Sequence, residues 1–295
     1  MLNILRTSLR IGRVTIDYPK SVEATVCRGR PQIDPDRCTI GQIHSHTQSC
    51  ICADVCPSNA ITISNGAAGA WRWQLDIARC VFCGLCEENC PNGAISLTND
   101  FELASRTRED LIVGMTDGSQ PPTRTSEPQP LSGPADPAAD MSHIGERIRR
   151  LLKRSLHIRH MAAGSENSCD WEIAALLNPV YDVQRLGIDF VASPRHADLL
   201  LVTGAVTRHL ESALRDTYEA MPWPRLVVAV GDEACSGGLL QGSYAVAGGV
   251  DRCLPVDVYV PGDPPRPQAI IQGLLVAVNR LEPKIRHTEM TAPRY

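Results

Sequence analysis

No excess of basic charge runs through this chain: 29 Lys and Arg face 33 Asp and Glu, a formal net charge of −4 with a pI near 6.1. Phosphate binding depends on a dense basic surface, so nucleic acid is excluded as the main partner. Long hydrophobic runs are missing as well. Stretches such as ADLLLVTGAV, residues 197–206, fall far short of the roughly 20 residues that span a bilayer. The opening MLNILRTSLRIGRV has neither the apolar core nor the cleavage site of a signal peptide, and the chain is expected in the cytoplasm. Nor is there a cofactor loop or a nucleophile constellation, which argues against a self-contained enzyme.

Cysteine, by contrast, is abundant. Nine of the twelve fall within residues 27–90. Disulfides staple small secreted domains, but CVFCGLCEENCP, residues 80–91, spaces its thiols too regularly for that purpose, and metal is the better explanation.

At 295 residues, 43% of them hydrophobic, the chain has length for two domains. Residues 115–140 are rich in Pro, Ser, Gly and Asp and nearly free of large apolar side chains, which predicts a flexible, disordered tether between a domain at 1–114 and a second at 141–295. Beyond Met141 a basic stretch carries Ile144, Ile148, Leu151, Leu152 and Leu156 at helical spacing, which predicts a basic helix over 144–160. Such a helix suits acidic partner subunits or anionic headgroups, or else is a solvated face. Further on, strand-like runs (ADLLLVTG, RLVVAVGD, PVDVYVPG) alternate with amphipathic stretches (VTRHLESALRDTYEAM, PQAIIQGLLVAVNRLE). This pattern predicts a three-layer α/β domain, flavodoxin-like, with a mostly parallel sheet.

The first part has short segments ending at Gly and Pro and an internal repeat, CPSNAITI at 56–63 and CPNGAISL at 90–97. In an α+β ferredoxin-like two-cluster domain, three cysteines of each run bind one 4Fe-4S cube, and the fourth, before proline, crosses to the other. On that rule Cys80, Cys83 and Cys86 take Cys56 as their fourth ligand, and Cys90 serves the other cube. A zinc site is the competing explanation, but it needs only four ligands and the interlocked motifs supply more. The first run is irregular. Cys52 keeps its spacing to Cys56, but the next two ligand positions fall on Ser49 and His46. A looped-out insertion would still deliver Cys38, Cys50, Cys52 and Cys90; alternatively His44 or His46 replaces a thiolate, which would raise the cluster's potential. Cys27 is expected to be a small core residue.

Residues 1 to about 115 resemble the two-cluster ferredoxin subunit of formate hydrogenlyase-type complexes, related to a peripheral-arm subunit of respiratory complex I. The matching stretches are YPK, RGRPQIDPDRC, CPSNAITI, WRWQLDIARCVFCGLCEENCPNGAISL and DFELA. Trp71 and Trp73 lie on the aromatic strand of that family, where they would pack beside a cluster. Residues from about 150 to 285 resemble the small subunit of energy-converting nickel-iron hydrogenases, similar to the NADH-quinone oxidoreductase 20 kDa subunit. Here the matching stretches are NPVYDVQRLGIDFVASPRHADLLLVTGAVTR, CSGG and GGVDRCLPVDVYVPGDPPRP. That resemblance implies a third 4Fe-4S cluster on four cysteines. The corresponding positions hold Glu166, Cys169, Glu233 and Asp263, so three of four thiolates are carboxylates. Oxygen ligands favour hard ions, and a mononuclear metal or no metal fits this degenerate third site better than a cube. Cys235 and Cys253 are expected as buried small residues, although Cys169 with Cys235 would give an altered site two thiolates.

The expected function is iron-sulfur electron transfer through two clusters within a membrane-associated hydrogenase-, formate hydrogenlyase- or quinone oxidoreductase-like complex. The resemblance implies a hydrogenase large-subunit-like partner, membrane subunits and a peripheral position on the inner face of the cytoplasmic membrane. A catalytic centre would belong to the partner. The competing expectation is a non-redox scaffold whose α/β domain docks partner subunits.

Overall fold

The computed structural model describes residues 2–21, 27–34, 37–38, 51–65, 71–116, 155–164 and 167–285. After a helix at Leu2–Ile11, the first half contains β1 (Pro31–Ile33), β2 (Ile61–Asn65), β3 (Trp71–Asp76), β4 (Ile95–Leu97) and β5 (Ile112–Thr116). β2, β3 and β5 form an antiparallel sheet, and β1 pairs antiparallel with β4. Two one-turn helices, Ile51–Asp54 and Leu85–Glu88, touch each other.

The internal repeat is also a repeat of geometry. After each one-turn helix comes Cys-Pro, and then a turn in which Asn59 N–H donates to Cys56 O (3.2 Å) or Gly93 N–H to Cys90 O (3.1 Å). Both turn residues are left-handed, with φ of 50° at Asn59 and 56° at Gly93, a conformation that asparagine and glycine adopt most cheaply. The chain then enters β2 in one copy and β4 in the other. Two corrections to the sequence reading fall nearby. The tether was expected to open at Met115, but Met115 and Thr116 are rungs of β5, paired with Trp73 and Arg72. Cys27 is half-buried outside the core, its thiol donating to Asn99 O at 3.1 Å.

The second half contains β6 (Leu156–Ala162), β7 (Ile188–Phe190), β8 (Leu199–Thr203), β9 (Val206–Thr207), β10 (Leu226–Val230), β11 (Val246–Gly248) and β12 (Val258–Val260). The sheet β12-β10-β8-β6-β7 is parallel throughout. Counted in sequence, its order is 2-1-3-4-5, the flavodoxin-like arrangement, with the reversal between β6 and β8. Every residue of β8 and β10 is buried, as expected for continuous apolar runs sandwiched between helices. Helices at Ser168–Ala175, Glu211–Glu219, Asp232–Ser236 and Pro267–Ala277 follow the strands, and every residue of the last is buried except Gln268, which is half-buried.

The basic helix expected over 144–160 does not reach its C-terminal part. Residues 156–162 form the interior strand β6, in which Leu156 and Ile158 point to the core and His157 and Arg159 alternate with them. Period-two alternation in a strand flanked by two neighbours outweighed the helical spacing that Leu156 shared with Leu152. Residues 141–154 and 117–140 lie outside the described residues. The two halves share cores: Tyr18 and Ala104 pack among the residues of the parallel sheet and the Pro267–Ala277 helix.

Candidate metal centre

The intact motif builds a thiol-lined cavity. Cys80 ends a 3-10 turn, Ile77–Arg79, that Asp76 caps by accepting the N–H of Ala78 (3.2 Å). Phe82 then takes the left-handed φ of 51°, uncommon for an aromatic residue, and its N–H donates to Cys80 Sγ at 3.4 Å. Gly84, at φ 86°, turns the chain into the helix carrying Cys86. Cys56 arrives from the other copy of the repeat, its Sγ accepting the N–H of Ala60 at 3.2 Å. Cys56, Cys80, Cys83 and Cys86 line one small cavity, walled by apolar side chains including Leu75 and Phe82.

Burial pushes the Cys80 thiol up to about 12, with Cys86, Cys56 and Cys83 raising it further and the Phe82 N–H opposing. Burial likewise raises Cys86 to about 11, followed by Cys83 and Cys56. Buried in an apolar pocket, the Cys80 and Cys86 thiols keep their protons unless cationic iron takes the protons' place. Among the described residues, no three Cys, His, Asp or Glu side chains are placed to hold a single metal ion. A lone zinc needs all four sulfurs at about 2.3 Å, whereas a 4Fe-4S cube gives each sulfur its own iron. The apolar walls and the N–H donors to sulfur fit the cube.

The remaining thiols of the first motif are only partly described. Cys90 Sγ accepts the N–H of Ala94 at 3.2 Å, the same contact that Cys56 makes with Ala60. Cys52 is buried, and Cys38 and Cys90 pack against the same core. Cys50, with His44 and His46, lies outside the described residues. Trp73 is fully buried in the core that contains Cys80 and Cys86.

A second cluster of polar groups sits at the carboxyl edge of the parallel sheet, where open α/β folds place their sites. Cys169 lies in the helix after β6, Glu233 in the helix after β10, and Asp263 in the turn after β12. Glu166 lies outside the described residues. Gly231 holds a φ of 94°, and a Cβ there would come within 2.7 Å of Cys169 Sγ, so only glycine lets the thiol sit against this loop. Burial pushes Cys169 far up; Asp232, Asp263 and Glu233 raise it further, while Ser168 opposes. Sequence reasoning missed Asp232. It is 3% exposed, and burial, then Asp263 and Glu233, push its carboxyl up to about 8. The available signal was its place directly after Gly231 at the end of a buried strand. One thiol among carboxylates does not fit a cube, and no trio among the described residues grips a single ion.

Cys235 is fully buried, its Sγ directed at Ala229 O (3.6 Å), and Cys253 is buried too, as expected for small packing residues. Beside the acidic pocket, Thr203 Oγ1 donates to Asp170 Oδ1 (2.6 Å), and His160 Nε2 approaches both, at 3.1 and 3.2 Å. The thiol cavity and the acidic pocket are neighbours: Cys83 and Asp263 line a common space between the halves, with Arg28, Phe101 and Arg266 around it.

The thiol motif and the parallel-sheet domain define an iron-sulfur subunit of the oxidoreductase class, and known proteins agree. A 4Fe-4S dicluster domain matches residues 48–94, and the NADH ubiquinone oxidoreductase 20 kDa subunit family matches residues 167–277. The chain is 42% identical over 151 residues to the probable membrane-bound hydrogenase subunit mbhJ of Pyrococcus furiosus, spanning 90% of that protein and 50% of this one. It is 44% identical over 138 residues to formate hydrogenlyase subunit 7 of Escherichia coli K12, covering 54% of that protein and 47% of this chain. To an NADH-quinone oxidoreductase subunit of Desulfovibrio desulfuricans it is 50% identical over 107 residues, 58% of that protein and 36% of this chain. Among solved structures, a chain of the archaeal membrane-bound sulfane sulfur reductase is 34% identical with a TM-score of 0.40, covering 76% of that chain and 45% of this one. The chain therefore belongs to the family of the 20 kDa NADH ubiquinone oxidoreductase subunit, joined to a 4Fe-4S dicluster domain. It spans about half the length of formate hydrogenlyase subunit 7.

Proposed function

We propose that this chain carries electrons through two 4Fe-4S cubes held in its first half, and that its second half has lost the third. Cys56, Cys80, Cys83 and Cys86 hold one cube; Cys38, Cys50, Cys52 and Cys90 hold the other. The observation that carries this proposal is the convergence of four thiols, from segments 24 residues apart at Cys56 and Cys80, on a single apolar cavity. The first half then folds as a two-cluster ferredoxin. When bound, a cube accepts and releases one electron at a time at a potential set by its surroundings. The protein's part is to supply thiolates, exclude water with Leu75 and Phe82, and donate the N–H groups of Ala60 and Phe82 to sulfur.

Glu166, Glu233 and Asp263 leave the second half with Cys169 as the one retained thiol of its ancestral site, and that half serves to dock a hydrogenase large-subunit-like partner and membrane subunits. Among the described residues no helix is long and apolar enough to cross a membrane, so attachment at the inner face of the cytoplasmic membrane runs through those partners. A purely structural role is the second possibility, favoured by the carboxylates around Cys169. EPR of the full chain, purified anaerobically and reduced, separates the two. Reducible cluster signals, one of which disappears in Cys83→Ser while the parallel-sheet half stays folded, support electron transfer. Absence of any reducible signal in the wild type contradicts it.

A further inference from the structure

Residues 104–108 cross from one half of the molecule to the other. Ser105 exchanges two backbone hydrogen bonds with Tyr259 of β12, at 3.0 and 2.8 Å. The Ala104 N–H donates to Gln272 Oε1 (3.0 Å) and Arg106 Nη2 to Val276 O (2.6 Å), both on the Pro267–Ala277 helix. Three successive residues are thus stitched into the parallel-sheet half. Two positions later, Arg108 reaches back into the first half and grips Asp76 with both terminal nitrogens, Nη1 to Oδ1 at 2.6 Å and Nη2 to Oδ2 at 2.5 Å.

Asp76 is a junction in its own right. Its Oδ1 also accepts the Ala78 N–H, capping the Ile77–Arg79 turn, whose Ile77 O in turn accepts the Cys80 N–H at 3.2 Å. Its own N–H donates to Ala60 O at 2.8 Å, and Ala60 is the residue whose N–H meets Cys56 Sγ. The loops bringing Cys56 and Cys80 together therefore meet at one residue, the first through its backbone N–H and the second through its carboxylate. The same turn packs, with Ile77 and Ala78 fully buried, against the Asp232–Ser236 helix that carries Glu233. Both side chains of the pair are only 20% exposed, and a guanidinium fork matches a carboxylate in a way that an ammonium does not.

We infer that Asp76 and Arg108 form a positioning pair that sets the Cys80 thiol against Cys56, Cys83 and Cys86 and locks this loop to the parallel-sheet half. Neither residue is a ligand. The inference rests on the proposal that these thiols hold a cube, and it is tested so that the two can fail separately. In full-length chain, Asp76→Asn, Arg108→Gln, their double variant and Arg108→Lys are compared by iron content, cluster reduction potential and EPR line shape. In chain stripped of iron, the alkylation rate of Cys80 is followed against that of Cys90 by mass spectrometry.

If the pair acts by position, both single variants shift the potential in the same direction, and the double shifts it no further, because either change already opens the clamp. Cys80 alkylates roughly tenfold faster, as expected if loop opening becomes easier by about 1.4 kcal/mol, while Cys90 is unchanged; Arg108→Lys gives a smaller effect. Opposite shifts that cancel in the double variant would show charge tuning alone and overturn the inference. So would unchanged potentials, line shapes and alkylation rates accompanied only by a lower melting temperature. If the wild type holds no reducible cluster, the functional proposal fails and the alkylation rates still decide the positioning role.

Discussion

Two pockets face one another in this protein, and they treat charge in opposite ways. In the first half, Cys56, Cys80, Cys83 and Cys86 surround an apolar space. In the second, one such thiol, Cys169, lies among Asp232, Glu233 and Asp263 at the edge of the parallel sheet. Both are buried enough to force protons onto their groups: Cys80 is raised to about 12 and Asp232 to about 8. Soft thiolates recover that cost when iron binds, whereas a carboxylate in the same position simply keeps its proton. On the proposal that a third cube has been lost here, the fold of the site outlasts its chemistry: the turn after β12, the glycine against Cys169 and the helix after β10 remain built.

The largest effects should come from reversing the contrast. Cys80→Ser is expected to remove one cube, taking about four irons from the chain and one reducible EPR signal, without unfolding the parallel-sheet half; iron analysis and circular dichroism check it. Conversely, Glu166→Cys, Glu233→Cys and Asp263→Cys introduced together should, with Cys169, restore a ligand set and add about four irons. No gain in iron from the triple variant would show that more than the ligands has been lost.

A smaller effect is expected from protons in the acidic pocket. The Asp232 carboxyl is raised to about 8 from an ordinary value near 3.8, so between these values the folded chain holds a proton that the unfolded chain has released. Its stabilising contribution is complete below about pH 4 and is lost as pH rises through about 8. Asp232→Asn should remove this slope and raise stability at pH 8 by a few kcal/mol, measured by denaturant unfolding across pH. An unchanged slope would mean that Asp232 is not the group being titrated.

The two copies of the repeat provide the finest comparison. Asn59→Gly should be nearly neutral because the left-handed turn tolerates either residue, whereas Gly93→Ala should cost about 1 kcal/mol at the matching position. Equal costs in thermal unfolding would break the proposed equivalence of the two turns.

Much of this was legible in the sequence, for identifiable reasons. The spacing of Cys80, Cys83, Cys86 and Cys90 specifies chemistry locally, and buried runs such as RLVVAVGD specify strands whatever surrounds them. Less legible were features that depend on tertiary contact. Leu156 shares a helical spacing with Leu152 yet belongs to β6, because its partners lie at Ile188 and beyond, far along the chain. Asp232 is marked only by its place after Gly231, because Asp263, which raises its pKa more than Glu233 does, comes from a separate turn. Arg108 looks like an ordinary charged residue until Asp76, 32 positions away, is brought beneath it.

The central claim is that electrons travel through two cubes in the thiol half and meet no cube in the carboxylate half. Iron and sulfide quantification of anaerobically purified full-length chain, combined with EPR of the reduced protein, tests it most directly. About eight irons per chain with two reducible signals is the predicted result; about twelve irons with a third signal would contradict it.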